Sequence, residues 1–387
     1  MPTQTLLTNA HLVLPDAVLH ASLSVRDGRI EAIDPALSHL PGAIDCEGDF
    51  ILPGLIDLHT DNLERQVQPR SNARWPSLSA LLAHDAHCAA AGITTVFDAL
   101  CVGDIGFERG RAETCDNAVA DLAGLAVGPG EAAILKSDHR LHLRCELPAP
   151  CLLDQLDRYA DNSLLGMVSL MDHTPGFGQY ADLDLFRRVR RPQCTTDAEL
   201  EAQIVALRDQ RDRLREPNRA GLLARLAGRS VPIASHDDRT EAEIADNARH
   251  GVSIAEFPVS AVAAHAARAA GLGIIAGAPN LVRGGSHSGN VAAATLLAAG
   301  LVDALASDYV PSALIEAAFA AARATSADLL AALPGAIGLV TANPARMAGL
   351  ADRGALRAGL RADLVRVRLH RGLPVIRGVW SAGARVC

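Results

Sequence analysis

The strongest constraint on this chain is a pattern repeated eight times: a short apolar run of strand character, followed in most cases by an alanine-rich helical stretch. The runs fall at 55–59, 94–100, 141–146, 167–172, 231–235, 253–257, 273–277 and 304–307, and helical patterns such as 80–91 and 290–301 separate them. A helix between two strands returns the chain to the same end of the sheet, so such units pair in parallel. Eight of them predict an α/β fold, a (β/α)8 barrel. An open doubly wound sheet is the alternative, but no GxGxxG follows the first run, which weakens its dinucleotide-binding form.

The two ends of the chain read differently. Segments 11–14, 22–25 and 29–33 are β-prone, and Asp27-Gly28 is a hairpin signal; 362–369, 375–379 and 384–386 look alike at the other end. Neither group is large enough to fold alone. The economical expectation is one small β-sandwich domain built from residues 1–52 and 351–387, flanking a barrel over 53–350. The charged stretch 183–229 reads as a helical insertion on the barrel rim, an antiparallel pair.

Composition narrows the function. A net charge of −8 argues against a general nucleic-acid or membrane surface. Lys136 is the sole lysine and no GxxxxGK[ST] occurs, which excludes a P-loop triphosphatase. The eight cysteines form no CxxC, and apolar runs such as 291–302 fall short of the ~20 residues that span a bilayer. No basic residue precedes Arg26, so the start lacks a signal-peptide pattern, and a reduced, cytoplasmic setting is expected. Homo-oligomerisation stays open.

Polar residues gather where the strands end: His59-Thr60-Asp61-Asn62, Cys145-Glu146, Asp172-His173, His236-Asp237-Asp238, Glu256 and Asp308. In a parallel barrel these ends meet at one mouth, and imidazoles with carboxylates around one mouth suit a divalent metal. Each residue alone has a plainer reading, as a packing histidine or a helix N-cap; the joint pattern predicts the metal. His84 and His87, on a helical stretch, read as structure or surface. The run Arg283-Gly284-Gly285-Ser286-His287-Ser288-Gly289-Asn290 follows the seventh strand and suits a phosphate, through backbone approach at glycine and the arginine fork. Arg65, Arg70, Arg74, Arg140 and Arg144 could add charge, although solvated arginine is the ordinary reading of each.

The string Leu52-Pro53-Gly54-Leu55-Ile56-Asp57-Leu58-His59-Thr60 resembles the amidohydrolase superfamily, although His59-Thr60-Asp61 stands where His-x-His is usual. His59–Glu64, His139–Leu147, Ser169–His173, Ala234–Asp238, Ile254–Pro258, Gly277–Asn280 and Ser307-Asp308-Tyr309 resemble its phosphonate-metabolism branch, of the carbon–phosphorus lyase pathway. The resemblance implies a hydrolase that cleaves α-D-ribose 1-methylphosphonate 5-triphosphate to the 5-phosphate and pyrophosphate. It implies a metal shell of His59, Asp61, Glu146, His173, His236 and Asp308 with Glu256 in reserve, and Asp308 as general base. Many relatives bridge two metals with a carboxylated lysine; Lys136 precedes its strand, so Glu146 is expected in that role. The cofactor expected is one or two divalent ions, zinc ahead of magnesium. Arg283, Ser286, His287, Asn290 and Arg144 are expected to hold the phosphorylated ribose substrate. Two other readings stand beside this one: an amide or cyclic-imide hydrolase on the same scaffold, and a barrel serving without catalysis as an assembly subunit.

Overall fold

The computed structural model describes residues 4–70, 73–106, 110–125, 133–191, 196–286 and 289–387. Eight parallel strands form the barrel sheet in chain order: β6 (Leu55–Thr60), β7 (Ile93–Val102), β8 (Asp138–Glu146), β9 (Leu165–Met171), β10 (Ile233–His236), β11 (Ile254–Glu256), β12 (Gly273–Gly277) and β13 (Ala304–Ala306). The last strand returns to the first: Thr60 bridges Asp308 in parallel, Asp61 N–H donates to the Asp308 carbonyl at 2.7 Å, and Asp308 N–H donates to the His59 carbonyl at 3.0 Å. All eight strands expected from the apolar runs are present.

The strands are buried on both faces, as their near-continuous apolar runs require. Ile56, Leu58, Phe97, Met167, Ala234, Ile254, Ile275, Ala304 and Ala306 share one cluster, to which Ala345 and Met347 of the helix Ala342–Met347 also belong. A larger cluster, including Leu55, Val96, Leu143, Val168, Ile274 and Leu305, packs the strands against their helices. Burying each such leucine or isoleucine contributes about 1.5–3 kcal/mol. The insertion consists of the helices Leu183–Arg190 and Asp197–Leu226, the second opened by a capping box between Thr196 and Glu199. No helix among the described residues is long and apolar enough to cross a membrane.

Both ends of the chain enter one mixed sheet. The N-terminal strands β1 (Gln4–Val13), β2 (Val18–Arg26), β3 (Arg29–Asp34), β4 (Ile44–Asp45) and β5 (Phe50–Pro53) join the C-terminal β14 (Leu364–His370), β15 (Leu373–Ser381) and β16 (Ala384–Arg385). The seam is β5, parallel to β1 and antiparallel to β14. Leu7, Leu12, Leu23, Val25 and Ile30 share a core with Leu364 and Trp380, so neither end is complete without the other. Asp27 and Gly28 take positive φ between β2 and β3, the conformation that an Asp-Gly hairpin supplies.

Gly54 is the hinge residue between the terminal sheet and the barrel. Its N–H donates to the Asp363 carbonyl at 2.7 Å, and a Cβ built there would lie 2.1 Å from Thr94 Oγ1 and 2.7 Å from Asp363 Cβ. We predict that Gly54→Ala forces these layers apart and destabilises the fold by about 1–3 kcal/mol, read from the denaturant midpoint. An unchanged midpoint would mean that the junction is looser than its geometry shows.

Candidate active site

The strand ends converge on a cavity of about 1370 Å³ at the mouth of the barrel. His59, Asp61, Arg144, Glu146, His173, His236, Asp237 and Asp308 all line it. Backbone irregularity aims several of them. Pairing of β6 with β7 slips between Asp57 and Thr60, a bulge just where His59 leaves the strand. Asp237, Phe257 and Asp308, each following a barrel strand, take positive φ of 56°, 53° and 54°. Such conformations cost on the order of 1 kcal/mol or more outside glycine and concentrate at functional sites.

Glu256 is the hub beneath the mouth and has no solvent exposure. His59 Nδ1 lies 2.8 Å from Oε1; His236 Nδ1 lies 2.6 Å from Oε2, and Ser169 Oγ donates to Oε2 at 2.8 Å. Burial works against the Glu256 charge, but the imidazoles of His59 and His142 and the hydrogen bond from His236 hold its carboxyl well below the usual range. Burial likewise opposes charge on His59, yet the charges and hydrogen bonds of Glu256 and Asp61 together outweigh it and lift the imidazole to about 10. With both Nδ1 atoms engaged, the two rings stack 5.8 Å apart and leave Nε2 as the atom each can offer.

Glu146 does the same for His173. Its Oε2 lies 2.6 Å from His173 Nδ1, and its Oε1 accepts the His173 N–H at 2.9 Å. Both oxygens are turned to His173, because Glu146 ends β8 beside the end of β9, and Glu146 lines the cavity where it was expected as a bridging ligand. Glu256, held in reserve as a ligand, likewise turns its oxygens to His59 and His236, and with His59 and His142 it forms a further set of possible donors beneath the mouth. Lys136 is far from any such role, since it precedes β8 and its backbone N–H donates to the Asp85 carboxylate.

Among the described residues four groups of possible donors have ligand atoms within 4.8 Å of one another; His59, His142 and Glu256, and His84, Asp98 and His139, are fully buried, whereas His59, Asp61 and Asp308, and His173, His236 and Asp237, line the cavity. Imidazole nitrogens and carboxylate oxygens, with the histidines fixed through Nδ1, fit a divalent ion in either cavity group. Asp237 was visible at its strand end but not singled out as a donor. Arg144 Nη1 donates to Asp61 Oδ1 at 2.6 Å, and burial of Asp61 is overcome chiefly by that guanidinium, which lowers its carboxyl. Asp308 is raised to about 6 by burial and then by the charge of Asp61, close to the range where a carboxylate exchanges protons at neutral pH.

The expected phosphate loop divides. Ser286 and Asn290 line the cavity, whereas His287 and Ser288 lie outside the described residues. Arg283 is exposed and does not line the cavity, contrary to expectation. The reason is that Gly277 caps a helix, Ala278–Arg283, directly after β12; Arg283 falls in its last turn, where a cation suits the helix C-terminus. Arg140, near the start of β8, pairs with Asp138 away from the mouth.

Sequence reasoning also missed His142 and a second polar cluster. His142 Nδ1 faces the Leu58 carbonyl at 3.0 Å and Nε2 faces Ser169 Oγ at 2.5 Å, so it braces the hub. His84 and His139 flank Asp98 at 2.7 Å each, His84 touches Asn62, and Asp85 closes the set against His139. Every member is buried, and His84, Asp98 and His139 bring their donor atoms within 4.8 Å of one another, while His87 is exposed.

If Glu256 orients His59 and His236, removing one of its acceptor oxygens disturbs both imidazoles without removing a ligand. We predict that Glu256→Gln lowers divalent-metal affinity about 10- to 100-fold, measured by metal analysis after equilibration with a metal buffer. Unchanged affinity would sever the hub from the donors.

No family model matches the chain. Among solved structures, N-acetyl-D-glucosamine-6-phosphate deacetylase from Mycobacterium smegmatis is similar with a TM-score of 0.65 at 18% identity, covering 99% of this chain and 100% of that one. A crystallised amidohydrolase is similar with a TM-score of 0.59 at 17% identity, covering 99% of both chains. These likenesses are of fold. The chain is also 42% identical over 388 residues to α-D-ribose 1-methylphosphonate 5-triphosphate diphosphatase of Escherichia coli strain K12, spanning 98% of this chain and 100% of that protein. Identity along the whole length, on a parallel barrel with a donor-lined mouth, places the chain in the α-D-ribose 1-methylphosphonate 5-triphosphate diphosphatase family, on an amidohydrolase fold.

Proposed function

We propose that this protein hydrolyses α-D-ribose 1-methylphosphonate 5-triphosphate to the 5-phosphate and pyrophosphate in phosphonate catabolism. The observation that carries the reading is the identity along the full length of the E. coli enzyme, supported by a mouth that combines imidazole and carboxylate donors with cationic walls. His59, Asp61 and Asp308, and His173, His236 and Asp237, are the residues that would hold one or two divalent ions; the three histidines favour zinc. Glu146 and Glu256 orient those histidines. A bound ion would supply Lewis acidity and ease deprotonation of water at neutral pH.

The chain's own residues then have distinct tasks. Asp308 accepts the proton of the attacking water. The water oxygen bonds to the phosphorus nearest the ribose, the bond from that phosphorus to the bridging oxygen breaks, and the bridging oxygen leaves on pyrophosphate. Arg144, buried and fixed by Asp61, presents positive charge to the phosphoryl oxygens, where fixed donors matter most. Ser286 and Asn290 contribute neutral donors from beyond the helix Ala278–Arg283, with His287 beside them in sequence. An ordinary amide hydrolase would have little use for the arginines that line this cavity beside the donors, which also counts against a barrel without catalysis. On this reading residues 1–52 and 351–387 form one domain, 53–350 the catalytic barrel, and the protein acts in the cytoplasm on a small phosphorylated ribose.

The test is turnover of the ribosyl triphosphate in 18O-labelled water by metal-loaded protein. One labelled oxygen is expected in the 5-phosphate and none in pyrophosphate. Asp308→Asn should lower kcat by about 10²- to 10⁴-fold, the usual worth of a positioned proton acceptor. Label in pyrophosphate would move the attack to the next phosphorus, and absence of turnover would overturn the reading.

A further inference from the structure

Three arginines on the cavity wall have no part in the chemistry so far: Arg65, Arg74 and Arg111. They belong to the side of the mouth that carries His59, Asp61 and Asp308. Arg65 lies in the helix Asn62–Val67 that starts after Asp61, and its guanidinium stands 5.6 Å over the ring of Tyr309, the neighbour of Asp308. Arg111 opens the helix Arg111–Gly124; its Nε is 3.4 Å from Glu64 Oε2 and its Nη1 donates to Cys101 Sγ at 3.0 Å. Arg74 reaches across to the same helix start, with Nη2 3.2 Å from Thr114 Oγ1 and 3.6 Å from Glu113, and Nη1 3.4 Å from the Gly110 carbonyl.

Position 110 is shaped around that guanidinium. Gly110 has φ +94°, and a Cβ there would stand 2.2 Å from Arg74 Nη1. Glycine thus admits Arg74 to the cavity wall. The Arg74 contacts at Nη1 and Nη2 are longer than the ~2.7–2.9 Å of a tight charge-assisted bond, so they can give way to an anion. Arg65 and Arg74 are both exposed along the cavity.

We propose that Arg65, Arg74 and Arg111 seat the leaving pyrophosphate, an inference that rests on the diphosphatase reading above. The phosphorus under attack must lie at the donor groups, so ribose and pyrophosphate extend from it in different directions. Pyrophosphate is the more highly charged arm, and all three arginines line this cavity, Arg74 and Arg111 at the start of one helix and Arg65 on the helix that follows Asp61. The ribose arm is thereby directed toward His173 and Tyr180, whose rings are 6.2 Å apart on the insertion side of the mouth.

The experiment is calorimetric titration of metal-loaded protein with inorganic pyrophosphate, and separately with the 5-phosphate product. Wild type is compared with Arg65→Gln, Arg74→Ala, Arg74→Lys and Arg111→Ala, with metal content and thermal melting recorded for each. Each loss of a fork should weaken pyrophosphate binding about ten-fold or more, with Arg74→Lys recovering part of the charge but not the bidentate geometry. Affinity for the 5-phosphate product should change by less than roughly two-fold, a selectivity that general loosening of the fold would not produce. If Arg74→Ala fails to fold, Arg65→Gln carries the test, because its substitution disturbs only a ring contact at the surface. Wild type that turns over the triphosphate while all variants keep wild-type pyrophosphate affinity would overturn the arginine seat and leave the diphosphatase reading standing. Wild type that binds pyrophosphate through these arginines without turning over the triphosphate would overturn the diphosphatase reading instead.

Discussion

A single buried carboxylate sets the geometry on which the site depends. Glu256 reaches the Nδ1 atoms of His59 and His236 from the end of β11, one neighbour in the sheet, the other across the mouth. A buried carboxylate is costly unless every oxygen is engaged, and here Ser169 completes the set. The arrangement fixes the plane of both imidazole rings before any ion arrives. Glu146 repeats the device on His173. The mouth therefore offers several preset imidazole nitrogens, and Asp61 and Asp308 bring the negative charge that a divalent cation would neutralise.

The cost of this arrangement is visible in the backbone. Three non-glycine residues that follow barrel strands adopt left-handed φ, and two of them, Asp237 and Asp308, are candidate donors. Aspartate tolerates that region better than most side chains. Phe257 does so less readily, and its ring packs edge-on to His59 at 5.0 Å and to His236 at 5.7 Å. The barrel core and the bridge of Thr60 with Asp308 supply the stability that keeps these residues in place.

Much of this was legible in the sequence. Strands buried on both faces leave continuous apolar runs, so all eight could be located, and the shared seam of the two termini followed from the insufficiency of each. The donors were legible as polar residues at strand ends. Their division of labour was not. Whether a carboxylate points into the mouth or supports a histidine depends on strand adjacency and on the bulge before Thr60, and Glu256 and His59 are 197 residues apart. Arg283 was misplaced because its glycine-rich neighbourhood reads as a loop, whereas Ala278-Pro279 starts a helix at once. Arg65 and Arg74 had solvation as their ordinary reading and Arg111 carried no signal, since only folding brings the start of the helix Arg111–Gly124 beside Arg74.

The central claim is that the imidazoles are ligands and Glu256 is their support. Anomalous scattering at a metal absorption edge, from crystals of protein purified without chelator, tests it most directly. The account predicts an ion about 2.0–2.2 Å from Nε2 of His59 or His236, with Glu256 still against their Nδ1 atoms. An ion bonded to Glu256, or no ion at either histidine, would contradict it.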